Sequence, residues 1–262
     1  MKISLSNFAK PLVVSAALLF AINPARAQPG GGGGGQGGPH FSGALVKLFG
    51  DNAAFTASVR VEADGASIGQ AMTMDSTMSL LDGMTRFDMD MSKMHGPNIP
   101  PQAVEQMKQL GLDKVVTVSV PDKKVARLIY PTIKAYAETP ISESDAAKAA
   151  DFKMEVKESG SETVEGHDCV KNKVVVTGTD GVAHESTVWN AKDLNNFPVK
   201  IQMTEHGTQM TMTFKDVKLQ KPDASLFNPP SDFKKYDSMM SLMMSRMNAG
   251  GAAGSMGAPG SQ

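Results

Sequence analysis

The sequence predicts a mainly β (α+β) fold, a single curved antiparallel sheet or half-barrel with short helices covering its concave face. Three observations carry this expectation. Most of the chain between residues 54 and 219 alternates apolar and polar residues with period two, the signature of half-buried strands. The segments so marked are joined by short turns, and short turns cannot make the crossovers that parallel pairing needs. Each segment has one apolar and one polar face, as in a sheet with solvent on one side. A two-sheet sandwich would share that period. Helical stretches within the chain favour the half-barrel, because they can cover the apolar face of one large sheet.

Taken in order, AFTASVRVEA (54–63) puts Phe55, Ala57, Val59 and Val61 on one face. AMTMDSTMSL (71–80) gathers Met72, Met74, Met78 and Leu80, and Asp82-Gly83 turns the chain as a hairpin in which glycine supplies positive φ. The return strand TRFDMDM (85–91) aligns Phe87, Met89 and Met91. Pro100-Pro101 then open a helix, QAVEQMKQL, that stops at Gly111. KVVTVSV and KVARLIY form a hairpin around Pro121-Asp122. After PTIKAYAETP, the run SESDAAKAAD begins at Ser142 with a weak capping box to Asp145 and predicts a second short helix. FKMEVKE, DCVKNKVVVTG, VAHESTVWN, VKIQMTE and TQMTMTFKDVKL complete nine or ten strands, with turns at Asp180-Gly181 and His206-Gly207. In SDFKKYDSMMSLMMSRMN (231–248), Met239, Met240, Met243, Met244 and Met247 share one broad helical stripe, read first as a face that docks onto the domain.

The ends have a different character. Met1 to Ala27 reads as a secretory signal, with Lys2 and Lys10, an apolar run at 11–22 and a small-x-small site at Ala25-Arg26-Ala27. Residues 28–39 are a glycine-rich linker and residues 248–262 a tail of small residues, both too polar and small to build a core. The expected organisation is therefore signal 1–27, linker 28–39, half-barrel domain 40–237, methionine-rich amphipathic helix 238–247 and disordered tail 248–262. The expected location is periplasmic or secreted. No other segment is apolar enough to span a membrane. Losing Lys2, Lys10 and Arg26 with the signal takes the formal charge from −1 to −4, and no basic block marks a nucleic-acid surface. The one cysteine, Cys169, permits no internal disulfide and lies too far from the cleavage point to carry a lipid anchor.

Methionine is the compositional oddity: 19, against 11 Phe, 3 Tyr and 1 Trp. Thioether side chains are flexible and polarizable, and are over-used on surfaces that accept ligands of variable shape. Copper(I) also prefers them. Position arbitrates between these roles. Met72, Met74, Met78, Phe87, Met89, Met91, Met210, Met212 and Phe214 fall on apolar strand faces and read as the wall of an apolar cavity. Along a strand Met89 and Met91 stand about 6.6 Å apart, beside Phe87, which does not converge sulfurs on one metal. Only Met94 and His95 escape the alternation and remain as a candidate metal pair, with the tail methionines as further ligands. His167 and Cys169, at i and i+2, offer a thiol and an imidazole on one face, but nothing supplies an orienting third group or an oxyanion site. No phosphate-binding loop, dinucleotide fingerprint, nucleophile elbow or H-E-x-x-H occurs, and no cofactor is implied. The expectation is a protein that is not an enzyme.

Two segments carry a family likeness. Gly160-x-Glu162-Thr163-x-x-Gly166-x-x-Cys169-x-Lys171 is followed by Trp189-x-Ala191-x-Asp193-Leu194 and Pro198-Val199-Lys200, and LFNPPSDFKKYD closes the pattern. From about Ser42 to Asp237 the chain resembles the exported bacterial proteins of the domain of unknown function 4412 family. More distantly it is similar to the LolA/LolB-like lipoprotein-carrier superfamily. The resemblance implies an antiparallel half-barrel with helices on its concave side, a cavity for acyl chains, and a hydrophobic small molecule or lipid as partner. The methionine-rich tail adds an envelope protein as a possible partner. Two other readings stand beside a lipid-binding one: a periplasmic copper(I) buffer, and an envelope structural protein with a filled core.

Overall fold

The computed structural model describes residues 43–65, 71–96, 99–142, 146–178, 181–205 and 208–254, of which 247–254 as backbone alone. The expected signal, the linker, Asp145, Asp180, His206-Gly207 and the end of the tail lie outside the described residues. The chain begins with α1 (Gly43–Lys47), then β1 (Ala54–Gly65), β2 (Met72–Leu81) and β3 (Met84–Asp90). After a 3-10 turn come α2 (Pro101–Leu110), β4 (Lys114–Val120), β5 (Val125–Tyr130) and β6 (Ala135–Pro140). A long meander follows: β7 (Lys153–Val164), β8 (His167–Thr177), β9 (Ala183–Ala191), β10 (Phe197–Glu205) and β11 (Thr208–Lys218). β12 (Lys234–Tyr236) and α3 (Met239–Gly254) end it.

All twelve strands form one sheet, in the order β12-β6-β5-β4-β3-β2-β1-β11-β10-β9-β8-β7. Two meanders, β1 to β6 and β7 to β11, are zipped together where β1 pairs with β11. Every neighbouring pair is antiparallel except β12 with β6, which is parallel. The sheet is thus single, open and curved, and the sandwich is excluded.

Local chemistry explains most elements. Asp82 and Gly83 both take positive φ (49° and 85°), the conformation of a two-residue hairpin turn. α2 has proline in its first turn and ends on Gly111 at φ 70°, whose N–H caps Lys108 and Met107 carbonyls. The segment after Ser142 differs from expectation. Its described part is a single 3-10 turn, Ala149–Asp151, entered from an extended Lys148. Ala146 and Ala147 bury only a small apolar surface, and among the described residues no longer helix is held. PTIKAYAETP contains β6 and KKY forms β12. Both are short and carry few large apolar residues, so their alternation is weak.

Burial is two-sided. The concave face and the helices over it share one core of Phe55, Ala57, Val59, Val61, Met74, Met78, Leu80, Phe87 and their neighbours. A smaller cluster of Leu81, Val116, Val118, Val120, Ile129 and Phe227 sits on the other face of β2 to β5. It is roofed by the segment leading to β12. Arg127, itself buried, donates to the Phe227 carbonyl (3.0 Å) and to Glu138 (2.9 Å), which also accepts from Lys235 (2.8 Å). Lys235 and Arg127 together hold the Glu138 carboxyl below its ordinary range.

Candidate functional site

The register places the two ends of the concave face in opposite chemical states. At the end where β1, β9 and β10 carry Phe55, Ala191 and Phe197, α1 delivers Phe49. Phe49, Phe55, Phe197 and Phe214 stack with ring centroids 4.7 to 5.7 Å apart, several edge to face. None of the four is more than 1% exposed. Asn52 and Asn195 close that end by side-chain hydrogen bonds to each other and to backbone carbonyls.

At the opposite end the row is different. Cross-strand partners run Val156–Val174–Ser186–Met203–Met210–Ala63–Met72, one residue from each of seven adjacent strands. Met203, Met210 and Met72 are half-buried, and the small Ala63 stands between Met210 and Met72. Ser186 Oγ is buried there with no hydrogen-bond partner, which costs free energy in an apolar surround. The next row inward, Val188–Ile201–Met212–Val61–Met74, is at most 4% exposed throughout. Accessibility therefore falls within two rows, from thioether rim to closed core.

α3 packs on β6 and β12, and α2 on the turn after β3. α2 supplies Met107 and Leu110, and α3 supplies Met239, Leu242 and Met243, with Leu242 fully buried. α3 is fastened by polar contacts: Tyr130 O–H to Met239 Sδ (3.2 Å), Tyr236 Oη with Ser245 Oγ (3.0 Å) and Arg246 to the Leu110 carbonyl (3.4 Å). Burial pushes the Tyr130 hydroxyl well above its usual range, so it stays a neutral donor. The stripe expected on this helix splits: Met239 and Met243 face the core, whereas Met240 and Met244 are 63% and 60% exposed.

The nine residues expected to line a cavity all lie in the concave-face region. Seven of them, Met74, Met78, Phe87, Met89, Met91, Met212 and Phe214, are 0 to 4% exposed and packed into the core. Met72 and Met210 remain at the rim, where the register brings Met203 and Ser186 beside them. Those two were missed because a single methionine in VKIQMTE gives no repeat, and a serine in a strand gives no signal. Their juxtaposition depends on cross-strand register alone.

An open groove of about 790 Å³ lies elsewhere, on the polar face of β1 to β4 and β11. Arg60 and Asp75 pair across it (2.8 Å), and this hydrogen bond lowers the Asp75 carboxyl below its usual range. Burial works against the ionised form of Asp90, but hydrogen bonds from Lys114 and Ser92 outweigh it and hold that carboxyl low as well. The groove's charges answer one another.

Met94 and His95 are not brought to one point. Met94 packs against the core, while His95 is exposed and paired through its backbone with Thr73 (2.8 and 2.9 Å). Among the described residues no three His, Cys, Asp or Glu side chains gather into a metal-holding group. His167 and Cys169 likewise part: His167 Nδ1 bonds Asp193 (2.7 Å), whereas Cys169 is 1% exposed and directs its thiol at the His167 carbonyl (3.3 Å). Burial raises the Cys169 thiol above its usual range, away from nucleophilic chemistry.

The residues that carried the family likeness instead meet around Trp189. Its indole N–H donates to Glu162 (2.8 Å), and the ammonium groups of Lys200 and Lys171 stand 4.6 and 5.0 Å from its rings. They tie β7, β8, β9 and β10 together.

No family model matches the chain. No curated protein matches it either, so the likeness to the domain of unknown function 4412 family has no matching model behind it. Among solved structures the chain is similar to a LolA superfamily protein from Nitrosomonas europaea, at 12% identity and TM-score 0.37, covering 71% of this chain and 96% of that one. It is similar to the lipoprotein LppX of Mycobacterium tuberculosis at 12% identity and TM-score 0.38, covering 67% and 93%. It is also similar to the Pseudomonas aeruginosa MucA/MucB complex at 12% identity and TM-score 0.36, covering 73% and 61%. Among the described residues no helix is long and apolar enough to cross a membrane.

Proposed function

We propose that this chain is an exported, periplasmic, non-enzymatic binding protein that takes up an apolar ligand, an acyl chain, at the methionine end of its concave face. The observation that carries the reading is the contrast along one face: phenylalanines fully enclosed at one end, half-buried thioethers with an orphaned hydroxyl at the other. Unbranched thioether side chains rearrange at low cost and accept chains of different length. Burial of the ligand's apolar surface, at roughly 25 cal/mol per Å², supplies the affinity. Ser186 Oγ would donate to an oxygen of the ligand's head group. α3, held on β6 and β12 by three polar contacts and by Met239, Leu242 and Met243, would border the ligand's far side. The exposed Met240 and Met244 offer an envelope protein a thioether surface beside the same mouth.

Native mass spectrometry of the exported chain, with uptake of a fluorescent fatty acid, tests this. The reading requires an adduct of lipid mass or saturable uptake. A lipid-free protein that takes up no probe sinks it.

A further inference from the structure

The far end of the methionine row is a sheet edge. β7 is the last strand of the sheet, it runs for 12 residues, and 11 of them are exposed. Nothing among the described residues pairs with its outer side. A long bare edge invites another strand, and proteins usually blunt such edges with charges and bulges. β7 carries both devices, with a register irregularity between Glu158 and Gly160 that divides it into two regular stretches, Gly160 to Val164 and the longer Lys153 to Glu158. Yet this stretch also holds two of the exposed large apolar side chains, Val156 at 54% and Met154 at 38%. Both lie on the concave side, opposite the buried Val174 and Val176. A strand meant only to repel would not place them there.

Within Lys153 to Glu158, the stretch that holds both exposed apolar side chains, charge and length together select one arrangement. Two copies of an edge strand that continue one sheet are related by a two-fold axis normal to it. Opposed residues then lie on the same face, and the axis must pass through a residue. On Glu155 the axis opposes Glu155 to itself and Lys153 to Lys157. On Lys157 it opposes two lysines. On Val156 it sets Val156 against its copy, Glu155 against Lys157 twice, and Met154 against Glu158, with no like charges opposed. On Met154 the charges also match, but only three residues of the strand face one another.

We infer that β7 pairs antiparallel with β7 of a second copy of this chain about Val156. The dimer buries the exposed valine, satisfies the edge amides and joins two sheets of twelve strands. It also makes the two methionine rows continuous, Val156 to Val156, so that both concave faces open on the same side. The inference does not depend on what the concave face binds.

Sedimentation equilibrium of the exported chain, with circular dichroism to confirm folding, reads the association. The wild-type weight-average mass rises with concentration toward twice that of the chain. Glu155→Lys places like charges opposite each other twice and weakens the dimer at least about tenfold, as does Val156→Lys. Glu155→Lys combined with Lys157→Glu restores it, since the swapped pairs attract again. A wild-type protein that stays monomeric at every concentration overturns the inference and leaves the edge to a strand of another protein. A dimer indifferent to Glu155→Lys, or not restored by the swap, overturns it too.

Discussion

The two ends of the concave face use the same sheet and the same alternation but opposite side chains. At the phenylalanine end four rings meet edge to face and none is more than 1% exposed. Rings have few rotamers and fixed shapes, so this packing defines one arrangement and resists change. At the methionine end Met72, Met203 and Met210 are half-buried, unbranched and flexible. The difference separates two jobs. One end holds the curvature of the sheet, and the other keeps an apolar surface that can be re-formed around something else.

If that division holds, truncation should be most damaging at the aromatic end. Phe197→Ala is expected to cost about 3–5 kcal/mol, because its neighbours cannot close over the space. Met203→Leu or Met210→Leu should cost less than about 1.5 kcal/mol in the same urea titration, as volume-conserving changes at an adaptable rim. Equal costs would erase the distinction between the ends.

Binding should show the reverse order. Met210→Glu puts a carboxylate beside Met203 in the rim and is expected to weaken fatty-acid uptake at least about tenfold, because a charge there must be desolvated by the ligand. Phe214→Leu, two rows deeper, should lower stability while leaving uptake by the folded protein near wild type.

Acid should act at neither end. Glu138 is held ionised by Lys235 and Arg127, so its folded-state carboxyl sits below the unfolded one. Its stabilising contribution is complete above the ordinary carboxylate range and is lost as pH falls through the lowered folded value. Glu138→Gln should remove part of the acid-side loss of stability, followed as the urea midpoint against pH, without altering uptake at neutral pH.

The smallest effect belongs to Ser186. Ser186→Ala removes an unpartnered hydroxyl and should leave stability unchanged or slightly raised. It should also lower the affinity for a ligand with a polar head by about 1 kcal/mol, roughly fivefold, relative to its hydrocarbon analogue.

The sheet was largely legible in the sequence because period two survives wherever one face is buried. AFTASVRVEA, AMTMDSTMSL and TQMTMTFKDVKL announce their inward residues directly, and Pro101 and Gly111 bracket α2 as their backbone preferences require. β6 and β12 were not legible: one is alanine-rich and the other is three residues long and held by pairing with β6, far earlier in the chain. The rim was half legible. Met72 and Met210 stand in repeats, but Ser186 and Met203 reach it through cross-strand register, which no local pattern encodes. The candidate pair Met94 and His95 came apart in the same way, since Met94 packs against the core while His95 turns out to solvent.

The central claim is that ligand enters at the methionine end, and amide hydrogen exchange of the exported chain with and without palmitate tests it most directly. Protection should be gained along β2, β10 and β11 around Met72, Met203 and Met210 and along α3, with no change at Phe49, Phe55 and Phe197. Unchanged exchange at the methionine end, or protection centred on the phenylalanine end, would contradict the account.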